Sequence, residues 1–315
     1  MAVDTDNKPC PVCGFTDSNF LFDKESDGRG VDKISLSRCA VCDSVFLAKY
    51  KESYDDDLYA YYQKYHGREK NELYDQLTRN SYKKVLELIA SHGDGMSILD
   101  VGCGKGDFVD AALDEGFKVD GIELAQPAVD IAQRFGLPVA KLDFFSSTIE
   151  ERSRDVVTMF EVIEHLPDPV SFFRRAEAVL RPGGLIYMTT PNFNSLDRRI
   201  LGSKWDVIHR EHLIYFTPAT LLAAIRKTTG LKVLHIETRN LSGQLISHFK
   251  NVVRRSKPGN GPINFLQNSS PRAEINFRSR ISSSLVLSML KRGVNSLLNL
   301  TSLGSTIVIL LKRPE

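Results

Sequence analysis

The stretch Ile98-Leu99-Asp100-Val101-Gly102-Cys103-Gly104-Lys105-Gly106-Asp107-Phe108 decides how the chain is read. A short apolar strand pattern runs into three glycines at alternate positions, and a helical pattern begins directly after them. Such a turn lets the backbone come close to a ligand, with the N–H groups of a helix N-terminus beside it. The spacing is G-x-G-x-G, whereas a dinucleotide fingerprint wants its third glycine one place later, where this chain has Asp107. Asp100 lies in the strand end just before the turn; a carboxylate there can hold an ammonium group and would repel a pyrophosphate. Glu123 ends the next apolar run, 17 residues after Gly106, where an acid can accept both hydroxyls of a ribose.

Outward from this turn the periodicity alternates. Strands are expected at 97–101, 118–122, 156–160, 185–190, 231–236 and 305–311. Helices are expected at 82–89, 107–115, 126–135, 169–180 and 281–300, with one more opened by Thr217-Pro218 and closed by Gly230. Alternation of this kind predicts an α/β, doubly wound sheet. Residues 250–280, rich in Pro, Gly, Asn, Ser and Arg, read as a loop insertion.

The chain has 315 residues, 42% hydrophobic and 25% charged, which excludes a disordered or collagen-like polymer. No run approaches the roughly 18 apolar residues of a membrane span. MAVDTDNKPC has no basic stretch followed by an apolar one, so a cytoplasmic location is expected. The net charge of +2 is unevenly spread: eleven of the 41 Lys and Arg lie after His248 but only two of the 39 acids do.

Four of the five cysteines form two knuckles, Cys10-Pro-Val-Cys13 and Cys39-Ala-Val-Cys42. In a chain with no secretory signal this spacing reads as metal binding. Four thiolates fill a tetrahedral Zn2+ site and leave no position open for chemistry, so a structural zinc is expected. The alternation at 33–37 reads as a hairpin carrying the second knuckle. The segment is not notably basic, so nucleic acid is not expected as a partner.

Taken together, the glycine turn, Asp100 and Glu123 resemble the class I S-adenosylmethionine-dependent methyltransferases, over roughly residues 50–240 and the last strand. The resemblance implies their Rossmann-like doubly wound sheet and S-adenosyl-L-methionine as cofactor. It implies that Asp100, Gly102, Cys103, Gly104 and Gly106 surround the methionyl part and that Glu123 and Leu124 flank the ribose. Asp143 and Phe144 stand at the adenine position, with Phe160 and Glu161 at the end of the fourth strand. Cys103 itself reads as a small packing residue. Eight of the ten tyrosines fall between Tyr50 and Tyr82; Tyr62 is a candidate lid over the cofactor, with ordinary helix packing as the alternative.

The acid–base groups sit in two segments. Glu161-Val162-Ile163-Glu164-His165 resembles the E-x-x-E-H stretch of the ubiquinone-pathway O-methyltransferases, which implies a divalent cation such as Mg2+ on Glu161, Glu164 and His165. The alternatives are His165 as a general base, or a hydrogen-bonding role for Glu164 and His165 on the cofactor loop. Trp205-Asp206-Val207-Ile208-His209-Arg210-Glu211-His212-Leu213-Ile214-Tyr215-Phe216 resembles a segment of the sugar C-methyltransferases that also begin with a zinc module. His212 matches an acid–base His of that family, and His209 stands where its Tyr would be. Trp205 is either core or a platform for the acceptor.

These readings divide the chain into a zinc-ribbon-like module (1–46), a helical, Tyr-rich bridging segment (47–95), a cofactor-binding core (96–240) and a basic insertion with helix and final strand (241–315). The expected activity is methyl transfer with His165, His212 and Glu164 as catalytic candidates. The preferred acceptor is a hydroxyl of a saccharide or specialised small molecule. The alternatives are metal-assisted O-methylation of a quinone-like phenol, C-methylation of a nucleotide-linked keto-sugar, and a non-catalytic cofactor-binding scaffold. The basic region after His248 adds the expectation of weak association with an anionic membrane surface.

Overall fold

The computed structural model describes residues 8–25, 33–49, 72–93, 96–248 and 285–315. The Tyr-rich stretch that includes Tyr62, and most of the basic segment after His248, lie outside the described residues. Among the described residues, no helix is long and apolar enough to cross a membrane.

The strand that leads into the glycine turn, β4 (Ser97–Val101), lies inside a seven-stranded sheet. Its parallel neighbours are β5 (Lys118–Glu123) and β7 (Arg154–Phe160). Outside these lie β6 (Val139–Lys141) and β8 (Leu180–Pro191), also parallel. The antiparallel strands β11 (Thr306–Lys312) and β10 (Lys232–Arg239) complete the order β10-β11-β8-β7-β4-β5-β6. The chain leaves β4 toward β5 and returns on its other side as β7. The carboxyl ends of β4 and β7 therefore flank the point where a doubly wound sheet leaves a crevice for ligands. Strands covered on both faces read as continuous apolar runs. Val156, Val157 and Met159 of β7 and Ile186, Tyr187 and Met188 of β8 are accordingly all buried.

Helices pack around the sheet, all but one of them where the sequence places them. α1 (Glu72–Ala90) sets Val85, Leu86 and Ile89 in one core cluster with Phe108 of α2 (Asp107–Asp114). α3 (Gln126–Arg134) follows β5, α4 (Pro169–Val179) follows β7, and α5 (Leu196–Leu201) follows β8. α6 (Pro218–Thr228) starts at the Thr217 cap, which forms a reciprocal capping box with Thr220. α7 (Leu285–Leu300) lies on β10, where Asn295 and Asn299 accept the backbone N–H groups of Asn240 and Thr238. The connection from β6 to β7 contains neither helix nor strand, and an open cavity of about 530 Å3 lies under the β5–β6 edge, lined by Ile122, Leu137, Val139, Leu142 and Ile149.

The cysteine segment forms a second sheet of four strands in the order β1-β2-β3-β9. β1 (Ser18–Lys24), β2 (Ile34–Cys39) and β3 (Val45–Leu47) come from the N-terminus. The fourth, β9 (Ile214–Tyr215), comes from the segment Trp205–Phe216 in the core. Val45 pairs with Tyr215 and Phe46 with Ile214, and the Leu47 N–H donates to Leu213 O at 2.9 Å. Lys24 at the end of β1 clamps the same segment, its Nζ donating to the carbonyls of Trp205 (3.0 Å) and Ile208 (2.7 Å). One continuous apolar core joins Cys10, Leu36 and Phe46 to Trp205, Ile208 and Phe216.

Candidate functional site

The glycine turn takes its shape from three left-handed residues: Gly102, Gly104 and Gly106 have φ of 67°, 56° and 85°. A Cβ on Gly102 would stand 2.7 Å from Val162, and one on Gly106 2.7 Å from Leu137. A Cβ on Gly104 would meet nothing within 4 Å. Gly104 is the point where backbone opens onto free space, as a ligand-approaching turn requires. Cys103 is turned the other way, its sulfur packed so closely on Gly121 that a Cβ there would stand 2.7 Å from it. Burial, then the charges of Asp100 and Glu123, raise this thiol far above the ordinary range, so it is inert and packs.

Two carboxylates bracket the turn. Asp100 is 1% exposed and accepts the Thr158 hydroxyl at 2.7 Å. Burial pushes it up to about 7 against that hydrogen bond, and the Glu123 charge adds to the rise. A carboxyl held this way takes up a cation strongly, because an ammonium partner removes the cost of its charge. Glu123 ties the two loops together: Oε2 accepts the N–H of Gly104 (3.0 Å), and Oε1 those of Leu124 (2.7 Å) and Ala125 (2.9 Å). Beside it Leu124 presents an exposed apolar side chain.

Farther along the crevice, Asp143 is exposed and turns the chain by accepting the Phe145 N–H at 2.8 Å. The Phe144 ring is buried against Phe172, with centroids 4.7 Å apart, and Phe145 is the exposed ring of the pair. Phe160 joins an aromatic cluster with Tyr82, Phe108 and Tyr187. Glu161 holds a left-handed φ of 55° at the exposed end of β7, a conformation that non-glycine residues keep mainly where the surroundings enforce it.

The acid–base groups of the two segments meet. A 3-10 turn, Ile163–His165, follows β7, and the Leu213 N–H donates to Glu164 O at 2.8 Å. The His165 ring lies edge-on to that of His212 with centroids 4.7 Å apart, and His212 lies tilted against His209 with centroids 3.8 Å apart. His165 Nδ1 is 2.9 Å from the Glu211 carbonyl. A carbonyl only accepts, so Nδ1 carries the proton, and in the neutral ring Nε2 is the basic nitrogen. Glu164 is buried; Oε2 accepts the Thr190 hydroxyl at 2.9 Å, while Oε1 has no hydrogen-bond partner among the described residues. Burial first, and then the Glu161 charge, raise this carboxyl well above the usual range. His209 and Tyr215 are buried in the supporting wall, where the Tyr215 hydroxyl bonds the backbone of His209 at 3.3 Å. Trp205 is 1% exposed and packs on Phe193, which makes it core and not a platform.

Two ligand sets could hold metal. Ligand atoms of Cys10, Cys13, Cys39 and Cys42 lie within 4.8 Å of one another, with Cys10–Cys42 and Cys13–Cys39 sulfurs 3.4 and 3.5 Å apart. No disulfide joins them, and the N–H groups of Val41 and Cys42 point at the Cys39 sulfur at 3.4 and 3.5 Å. Four clustered sulfurs with backbone donors suit Zn2+. The second set is Glu164, His165 and His212, again within 4.8 Å. It corrects the expected E-x-x-E-H set, since His212 stands in it and Glu161 does not. Two imidazoles and one carboxylate are a poor match for Mg2+, which takes oxygen ligands.

The methyltransferase domain family matches residues 70–236, more than half of the chain. A ubiquinone biosynthesis O-methyltransferase from Vibrio vulnificus (strain YJ016) is 32% identical over 143 residues, covering 42% of this chain and 59% of that protein. The protein of the same name from Idiomarina loihiensis is 32% identical over 143 residues, covering 42% and 57%. The chain thus spans less than two thirds of the curated relatives it matches. A solved structure from Galdieria sulphuraria, named as a sarcosine dimethylglycine methyltransferase, has a TM-score of 0.51 at 17% identity, over 82% of this chain and 99% of that one; at that identity it supports the fold alone. The chain belongs to the class I S-adenosylmethionine-dependent methyltransferases.

Proposed function

We propose that this methyltransferase carries the methyl group of S-adenosyl-L-methionine to a hydroxyl oxygen of a small molecule, with His165 taking the hydroxyl proton. The observation that carries the proposal is the Nδ1–H bond to the Glu211 carbonyl, which leaves Nε2 as the acceptor nitrogen. When bound, the cofactor supplies an electrophilic methyl carbon. Asp100 holds its ammonium, the backbone around Gly102 and Gly104 its methionyl chain, Glu123 its ribose hydroxyls, and Leu124 and Asp143 lie along its adenosine. His212 sets the His165 ring edge-on, and Glu164 offsets the positive charge that His165 acquires. The cysteine module with its Zn2+ orders the segment that carries Glu211 and His212.

For the acceptor, a quinone-like phenol is the reading that the name of the curated relatives supports. A saccharide hydroxyl is the second, favoured by the zinc-module strand pairing with the very segment that resembles the sugar methyltransferases. Transfer of labelled methyl to a catechol-type quinol and to hexose acceptors separates them. His165→Gln should lower turnover by a factor on the order of 10²–10⁴ with unchanged cofactor affinity. A variant with wild-type turnover would remove His165 as the base.

A further inference from the structure

Helix α5 carries Arg198 to the seam between the cysteine module and the core. Its guanidinium carbon lies 4.3 Å from the ring centroid of Phe193, in the turn after β8, and 5.5 Å from that of Phe22 on β1. Aromatic faces attract a guanidinium and leave its in-plane N–H rim ready to donate. Among the described residues no carboxylate pairs with that rim, and the buried Nε–H has no hydrogen-bond partner. The charges that reach Arg198 have its own sign: burial, then Arg38 and Arg199, hold the half-buried guanidinium below its ordinary range. The Arg38 charge is met by Asp43 at 2.8 Å, and Arg199 donates to the neutral Asn194 at 2.7 Å. A buried donor with no acceptor among the described residues and a cation set beside two others are both unfavourable, and natural structures rarely keep such a group without a use for it.

We infer that Arg198, with Arg199 beside it, is a binding site for a phosphate-type oxyanion. One anion on the outer N–H groups of the fork brings the negative charge that no described carboxylate supplies, and the planar fork matches phosphate oxygens two at a time. The position gives the site meaning. Phe193 under Arg198 packs on Tyr215 at 5.7 Å, and Tyr215 on His212 at 6.2 Å, so the cation belongs to the wall that supports the proposed acceptor centre. The inference rests on the O-methylation reading only in making the anion a handle on the acceptor; the site itself stands on Arg198.

The test uses the full, zinc-loaded chain and isothermal titration with inorganic phosphate and with glucose 1-phosphate, beside S-adenosylmethionine in the same samples. Wild type should bind phosphate saturably at one site, more weakly as salt rises. Arg198→Met, which keeps the stem between the rings, should lose about tenfold or more in affinity (1.4 kcal/mol for each factor of ten). Arg198→Lys, which keeps the charge but not the fork, should fall between them, and serves if the methionine variant fails to fold. Tighter binding of glucose 1-phosphate than of phosphate makes the anion part of a larger ligand; equal binding makes it a free phosphate site. No saturable binding by wild type, or equal affinity in Arg198→Met with cofactor binding intact, overturns the site. Loss of cofactor binding in wild type would instead strike the methyltransferase reading.

Discussion

Asp100→Asn tests the proposed cofactor contact through a change in stability as well as in binding. The wild-type carboxyl is pushed up to about 7 from an ordinary 3.8, chiefly by burial. The folded chain therefore keeps a proton that the unfolded chain has lost between those two values, and stability falls as pH rises through that window. Above pH 7 the cost levels off at about 4 kcal/mol, from about 3 pK units at 1.4 kcal/mol each. Asparagine has the same shape, retains an oxygen for the Thr158 hydroxyl and carries no charge. It should stabilise the fold by about 3–4 kcal/mol at pH 8 and by almost nothing at pH 4, a difference that urea midpoints at the two pH values resolve. Cofactor binding should move the other way. The ammonium needs the ionised form, so wild-type affinity should rise from pH 6 to 8, with a proton released on binding. The variant should lose roughly 100-fold or more, since a buried charge without its partner costs about 3–5 kcal/mol. Calorimetry in two buffers of different ionisation heat counts the proton. A variant no more stable than wild type at pH 8, or one that binds the cofactor equally well, would rule out a buried, cation-binding Asp100.

Three further outcomes are expected. Glu123→Ala should abolish S-adenosylmethionine binding by removing the ribose acceptor and releasing the N–H groups of Gly104, Leu124 and Ala125; unchanged affinity by calorimetry would remove the ribose assignment. Stripping zinc, or Cys39→Ser, should speed amide exchange in residues 205–216 with cofactor affinity preserved, and protected amides in the stripped protein would separate the module from the acceptor segment. Lys24→Met should loosen the same segment with the metal still in place, since it removes the clamp on Trp205 and Ile208.

Much of this was legible in the residues. The periodicity at 97–101, 107–115, 118–122 and 126–135 located β4, α2, β5 and α3 to within a residue or so, because Gly102, Gly116, Pro127 and Gly136 punctuate the apolar pattern between them. The glycine turn and its two acids are local in sequence, and they lie together in the fold. What local pattern cannot carry is pairing over distance. β6, three residues long, went unmarked, as did α5 inside the polar stretch after β8. The strand Ile214–Tyr215 gave no signal of its own, since two residues have no period. The convergence of His212 on Glu164 and His165, in place of Glu161, depends on that strand and on the 3-10 turn. Arg198 reads in the sequence as one more base in a polar loop; only the fold shows it between Phe22 and Phe193, with no carboxylate among the described residues paired to it.

The pairing of Val45 with Tyr215 also bears on how the polypeptide is made. The three N-terminal strands leave the ribosome early, yet the edge strand Val45-Phe46-Leu47, apolar throughout, waits for a partner 170 residues downstream. For that interval, on the order of ten seconds or more at ordinary elongation rates, the nascent chain carries an open, apolar strand edge of the kind that recruits other chains. Loading of zinc on the four early thiolates would hold β1 to β3 in register during the wait. Expression in metal-poor medium should then yield aggregates, not merely apoprotein.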